Sequence, residues 1–154
     1  MGPTIMQQPR FASEFPSGRF WAVLEARHPE ERARRVMRMR FFWQRGLPEL
    51  DLVVTMYVSP DKDRCGVFLG RNERAGATAV AQRLQPHADG INQALGLDPR
   101  LSSVEFPFVS SWQVNCFAED NWPAMADWLV TEASRYERVL RSLLGDRSSP
   151  GRRA

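Results

Sequence analysis

The sequence predicts an α+β domain, a mainly antiparallel five-stranded sheet with helices packed on it. Strand-like segments come in runs: "ELDLVVTMYV" leads into "RCGVFLGR", and "SSVEFPF" into "SSWQVNCFAE". Stretches of helical period separate and flank those runs, a pattern of neighbouring strands pairing rather than of alternating crossover units. The chain's 154 residues, 43% hydrophobic and 25% charged, suit one globular domain with a real core. The predicted order is α-β-β-β-α-β-β-α over 17–145. A mobile N-terminal segment (1–16), rich in Pro, Gln and Ser, precedes it, and a disordered tail (146–154) follows.

Ser17 can cap a first helix through "GRFWAVLEARHPEE", whose Phe20, Val23, Leu24 and Arg27 recur at helical spacing; Pro29 ends or restarts it. From Arg34 the text supports two periods. Alternation puts Met37, Met39, Phe41 and Trp43 on one face of a strand over 37–44; a helical period aligns Val36, Met39, Trp43 and Leu47. The aromatic end favours the strand, with a second helix over 30–40 feeding it as the alternative. In the next strand Leu52, Val54, Met56 and Val58 oppose Val53, Thr55 and Tyr57. Asn72 opens a helical region carrying Val80, Leu84, Ala88, Ile91 and Leu95, which Pro86 kinks or splits and Gly96 ends. After the second strand pair, Asn121 caps a long helix that tolerates Pro123 in its first turn and runs to Leu143.

Nothing in the composition points to a membrane or to secretion. No apolar run approaches the ~18 residues of a span, and "MGPTIMQQPRFASEFPSG" lacks the basic-then-apolar order of a secretory signal. The expected location is the cytoplasm, where Cys65 and Cys116 are small buried hydrophobes. The net charge of +3 is uneven: residues 1–48 hold nine arginines against four acids, while each remaining third holds six bases against seven acids. Twenty arginines against one lysine also fit a coding bias.

The stretch "VSPDKDRCGVFLG" tests the chain for catalysis. Pro60-Asp61 followed by the only lysine, Lys62, has the flavour of a metal-dependent nuclease, but that chemistry needs an acid-x-Lys step on a neighbouring strand, which no other lysine can supply. Ser, Pro and Asp between two strand patterns make a hairpin loop instead. His28 and His87 each adjoin a proline away from any nucleophile, and the two Cys and two His lack zinc-finger spacing. No catalytic residue, metal site or cofactor is therefore assigned. "GRNERAG" could set Arg71 and Arg74 before a helix N-terminus, without the spacing of a nucleotide loop. Glu119 and Asp120 suit the field at the start of the last helix.

Several phrases, "CGVFLGR", "INQALGL", "VEFPF", "WQVNCFA" and "WPAMADWLVTEASRYERVLRSLL", give residues 19–145 a rhythm that resembles an uncharacterised bacterial domain family. Its members often sit C-terminal to a restriction-endonuclease-like (PD-(D/E)XK) nuclease domain. The resemblance implies the fold and a nucleic-acid or defence setting, and transfers no catalytic residue; Asn92 and Gln93 stand where the family carries an acid after Ile91. The element order is also similar to the small chaperones of type III secretion, although those are acidic and this chain has a pI near 9.4.

The functional expectation is a non-enzymatic protein-interaction or assembly domain, with a protein partner or a second copy and no small-molecule ligand. Trp43 and Trp112 are the expected partner-binding anchors at sheet edges. The alternative is an accessory nucleic-acid binder using the segment from Arg32 to Arg45, with Arg34, Arg35, Arg38, Arg40 and Arg45, and Arg71 beyond it, against phosphate.

Overall fold

Helix α1 (Ser17–Arg27) and the five-residue α2 (Glu30–Arg34) lead into four consecutive strands, β1 (Arg35–Arg38), β2 (Phe42–Leu47), β3 (Leu52–Ser59) and β4 (Arg64–Gly70). Then come α3 (Gly76–Leu84), α4 (Ala88–Leu95), β5 (Ser110–Gln113) and the long α5 (Trp122–Leu140), closed by a π-turn at Arg141–Gly145. The computed structural model describes residues 11–70, 76–103 and 105–145, and of 76–79 the backbone alone. Every pairing is antiparallel, in the order β1-β2-β3-β4-β5. The α+β class and the antiparallel five-stranded sheet are those the sequence predicts.

Two strands are drawn differently. The single strand expected over 37–44 is a tight hairpin, β1 and β2, closed by hydrogen bonds between the backbones of Met39 and Phe42 at 2.8 and 3.4 Å. The 30–40 helix survives only as α2. "SSVEFPF" forms no strand among its described residues: Pro107 has no N–H to give, and Phe108 sits at φ +54° in the left-handed region. One strand-like bond remains, from Leu69 N–H to Pro107 O at 3.0 Å. Tyr136 holds this segment down, its hydroxyl donating to Phe108 O at 2.5 Å.

The core lies between one sheet face and the helices. β3 alternates as expected: Leu52, Val54, Met56 and Val58 are buried toward the helices beside Trp43 and Leu47 of β2 and Cys65, Val67 and Leu69 of β4. From α5 come Trp122, Met125, Leu129, Ala133, Tyr136 and Leu140, on the predicted stripe. Phe15 is buried at the heart of a ring cluster with Phe20, Phe117 and Trp122, so the packed domain starts before Ser17 and the segment expected to be mobile (1–16) is anchored at its end. Residues 1–10 and 146–154 lie outside the described residues. Pro86 splits the helical region as foreseen, and Gly96 ends α4 at φ +67°, where a side chain would be strained. No helix of the described residues is long and apolar enough to cross a membrane.

The stretch "VSPDKD" is a hairpin loop, as its turn-forming residues predict. Pro60–Lys62 make one turn of 3-10 helix and Asp63, at φ +52°, reverses the chain into β4. The β2–β3 connection repeats the device with Pro48–Leu50 and Asp51 at φ +54°. Asp accepts this conformation because its short polar side chain tolerates it, whereas a β-branched residue does not. Asp63→Val is expected to cost about 1–2 kcal/mol in urea unfolding, and Asp63→Asn to leave stability nearly unchanged.

Candidate functional site

β2 places Trp43, Arg45 and Leu47 on the helix-facing side, so an arginine enters the core between two apolar residues. Arg45 is 0% exposed. A dehydrated guanidinium is tolerable only with close carboxylate partners. Glu31 of α2 supplies both oxygens, with Nη2 to Oε2 at 2.5 Å and Nε to Oε1 at 3.1 Å. From α5, Ser134 Oγ and Glu137 Oε1 each accept from Nη1 at 3.2 Å. Glu137 also accepts from Arg34 at 2.5 Å and Arg141 at 3.0 Å, and Arg141 donates to Glu49 at 3.3 Å. Burial pushes the Glu137 carboxyl up, but the hydrogen bonds from Arg34 and Arg141 outweigh it and hold it below the ordinary range. Three guanidinium groups (Arg34, Arg45, Arg141) thus meet three carboxylates (Glu31, Glu49, Glu137).

This network ends against β1, the terminal strand of the sheet among the described residues. The β1–β2 register runs Arg35 opposite Arg45, then Met37 opposite Gln44 and Arg38 opposite Trp43, so Val36 is an extra, bulged residue. Without the bulge Arg35 and Arg38 would point to opposite faces; with it both lie on the side of Arg45 and Trp43. The Arg35 guanidinium sits 5.0 Å from the centre of the Trp43 ring. Val36 leans over Gly46, where an added Cβ would come within 2.4 Å of Val36 Cγ2. Val36 is 62% exposed and Met39, in the hairpin turn, 51%. Beside the edge opens a cleft of about 720 Å³, walled by Arg34, Val36, Met37, Leu47, Leu52 and Arg141 among others.

The candidate basic residues separate on this frame. Arg45 is removed from any surface, correcting its assignment as a phosphate contact: alternation from Trp43 through Leu47 carries the signal for its inward direction. Arg34 is half-buried on Glu137. Arg32 lies 3.5 Å from Glu25. Arg40 is in the turn rather than beside Arg38 on one strand face; it donates to Ser13 O at 2.5 Å and stacks on Phe41. Arg35, Arg38 and Arg40 are exposed and have no carboxylate partner among the described residues. Arg71 and Arg74 lie outside the described residues. Trp43, expected at an edge, is fully buried against Trp21, so it anchors the core and no partner. Trp112, on the opposite edge strand β5, is half-buried and packs on Trp128.

Other chemistry-bearing groups are structurally committed. Burial pushes the Cys65 thiol far up and the Cys116 thiol up to about 12, the latter helped by the charge of Asp63, so both stay protonated. Glu119 pairs with Arg19 at the start of α5. Among the described residues no three potential metal ligands gather. A smaller concavity of about 220 Å³ lies on the other sheet face, between Tyr57, Phe106, Lys62 and Arg64. Compared with known proteins, the chain matches no family model, no curated protein and no solved structure.

Two outcomes follow from these ion pairs. Glu31→Ala strands Arg45 in the core and is expected to cost about 3–5 kcal/mol, whereas Arg45→Met with Glu31→Leu costs far less, because no charge is left unpaired; chemical denaturation of the three proteins distinguishes them. On the α1–α5 seam, hydrogen bonding from Arg27 holds the Asp127 carboxyl down to about 2 from an ordinary 3.8, against an upward push from burial and with help from His28. A depressed acid stabilises the fold above its unfolded pKa and loses that contribution as pH falls through the folded one. Asp127→Asn should therefore lower the urea midpoint above about pH 4 and match the parent protein near pH 2.

Proposed function

We propose that the chain is a non-enzymatic protein-interaction or assembly domain that meets its partner along the β1 edge. One observation carries this: apolar Val36, 62% exposed, lies on a terminal strand with no strand on its outer side among the described residues, and Met39, 51% exposed, lies in the turn that follows it. Sheet edges are surfaces that proteins either cover or use, and apolar side chains there favour use. The adjoining cleft supports binding rather than bond-making. Of its charged walls, Arg34, Arg141 and Glu49 are committed to one another and to Glu137, while Arg35 at the rim joins apolar Val36 and Met37 as the surface the cleft offers. A reducing cytoplasm suits the two free, buried thiols.

A photoreactive residue at position 36 or 39, with Gln93 on α4 as an exposed control, tests the surface in the native cell. The expected result is a covalent adduct with a second polypeptide from the edge positions alone, and a sedimentation mass above 17.6 kDa. A monomer with no adduct from either edge position would overturn the proposal. Adducts with nucleic acid, and heparin retention that falls steeply with salt and is lost in Arg38→Glu with Arg40→Glu, would favour the accessory nucleic-acid binder instead.

A further inference from the structure

The β1 edge carries three separate signals about what fits it. The first is in the backbone. Met39 and Phe42 form a hydrogen-bonded pair, so the next pair, Arg38 opposite Trp43, is of the open type. The N–H and C=O of Arg38 therefore point away from β2, and no backbone group outside the ladder bonds to them among the described residues. The second is charge: among the described residues Arg35, Arg38 and Arg40 have no carboxylate partner after the three-against-three network closes. The third is the order of side chains. Arg35 and Arg38 share one side of the edge, while Met37, opposite Gln44, and the bulged Val36 over Gly46 lie on the other; Arg35, Val36 and Met37 all border the cleft.

We infer that β1 takes an extended acidic segment of a partner protein as a sixth, edge-added strand, its carboxylates on the arginine side and its apolar side chains toward Val36, Met37 and the cleft. This rests on the protein-interaction function proposed above and gives the chemistry of the partner. A peptide backbone supplies both the acceptor and the donor that the outward Arg38 groups require, whereas a phosphate chain supplies acceptors only. A second copy is the wrong occupant: pairing β1 with itself sets Arg35 and Arg38 of one strand against the same two arginines of the other, and like charges across a strand pair destabilise it. An alternating acidic and apolar strand satisfies all three signals at once.

The test uses the full chain and a short fluorescein-labelled peptide alternating glutamate and valine, against its lysine–valine counterpart and a labelled single-stranded oligonucleotide. Fluorescence anisotropy is expected to show binding of the glutamate peptide alone. Arg35→Glu with Arg38→Glu should weaken it by about tenfold or more, Arg38→Gln less, and Arg38→Pro should abolish it by removing the outward N–H. In the unaltered protein, hydrogen exchange at the Arg38 amide should slow on binding, which tests strand addition even if Arg38→Pro does not fold. Equal binding of the two peptides, tighter binding of the oligonucleotide, an unprotected Arg38 amide, or a dimer that joins through β1 would each overturn the inference. A partner crosslinked at position 36 or 39 with an unprotected Arg38 amide removes this inference and leaves the proposed function standing. No crosslinked partner and no bound peptide remove both.

Discussion

A charge that cannot reach water governs this structure. Arg45 sits in the middle of β2 on the face that must contact helices, and its guanidinium needs carboxylates at fixed positions around it. Glu31 meets it from α2, a helix of five residues that is too short to hold itself together. Glu137 and Ser134 meet it from α5. The pair therefore ties the chain's entry into the sheet to its last helix. A buried ion pair contributes little net stability beside a well-packed apolar equivalent, because dehydration offsets most of the attraction. Its consequence is geometric: displaced packings leave the arginine or a glutamate stranded, and α2 is held where β1 must begin.

From that start point the edge acquires its character. Because Arg35 is paired opposite Arg45 while Arg38 is paired opposite Trp43, one residue too many lies between them, and Val36 bulges out. Short length, a bulge and arginine side chains are the usual means by which a sheet edge resists indiscriminate pairing. The same means make an edge selective. In the inferred pairing, repulsion from Arg35 and Arg38 works against basic strands and a second copy, while an acidic strand gains from the same contacts. Under the proposed function, the exposed apolar Val36 and Met39 are the surface whose burial would favour a partner.

Much of this was legible from the letters. The two alternating faces of β3, the period near 3.6 in α5, the Pro-Asp hairpin loop and the Gly96 cap all follow from local sterics and side-chain spacing. Two local readings went astray for the same physical reason. In "RVMRMRFFWQR" the alternation is continuous through a hairpin, so nothing in the pattern marks the Met39–Phe42 reversal. In "SSVEFPF" the apolar residues suggest a strand, but Pro107 and the left-handed Phe108 withhold the geometry that a ladder requires. The candidate site was legible as a basic segment and no further, since twenty arginines of similar context do not announce which are buried.

By itself the sequence determined the class of fold, the identity and faces of its longest elements, and a surplus of positive charge before residue 48. These depend on neighbours in the chain, where spacing and side-chain chemistry suffice. Only the tertiary structure decided which charges survive at the surface. Glu31 and Glu137 lie 14 and 92 residues from Arg45, and their approach neutralises Arg34, Arg45 and Arg141 while leaving Arg35 and Arg38 exposed. It also decided that Arg35 and Arg38 share a side, because a bulge exists only relative to a partner strand. Sequence spacing sets what a residue can do, but electrostatic cancellation and strand register are properties of pairs.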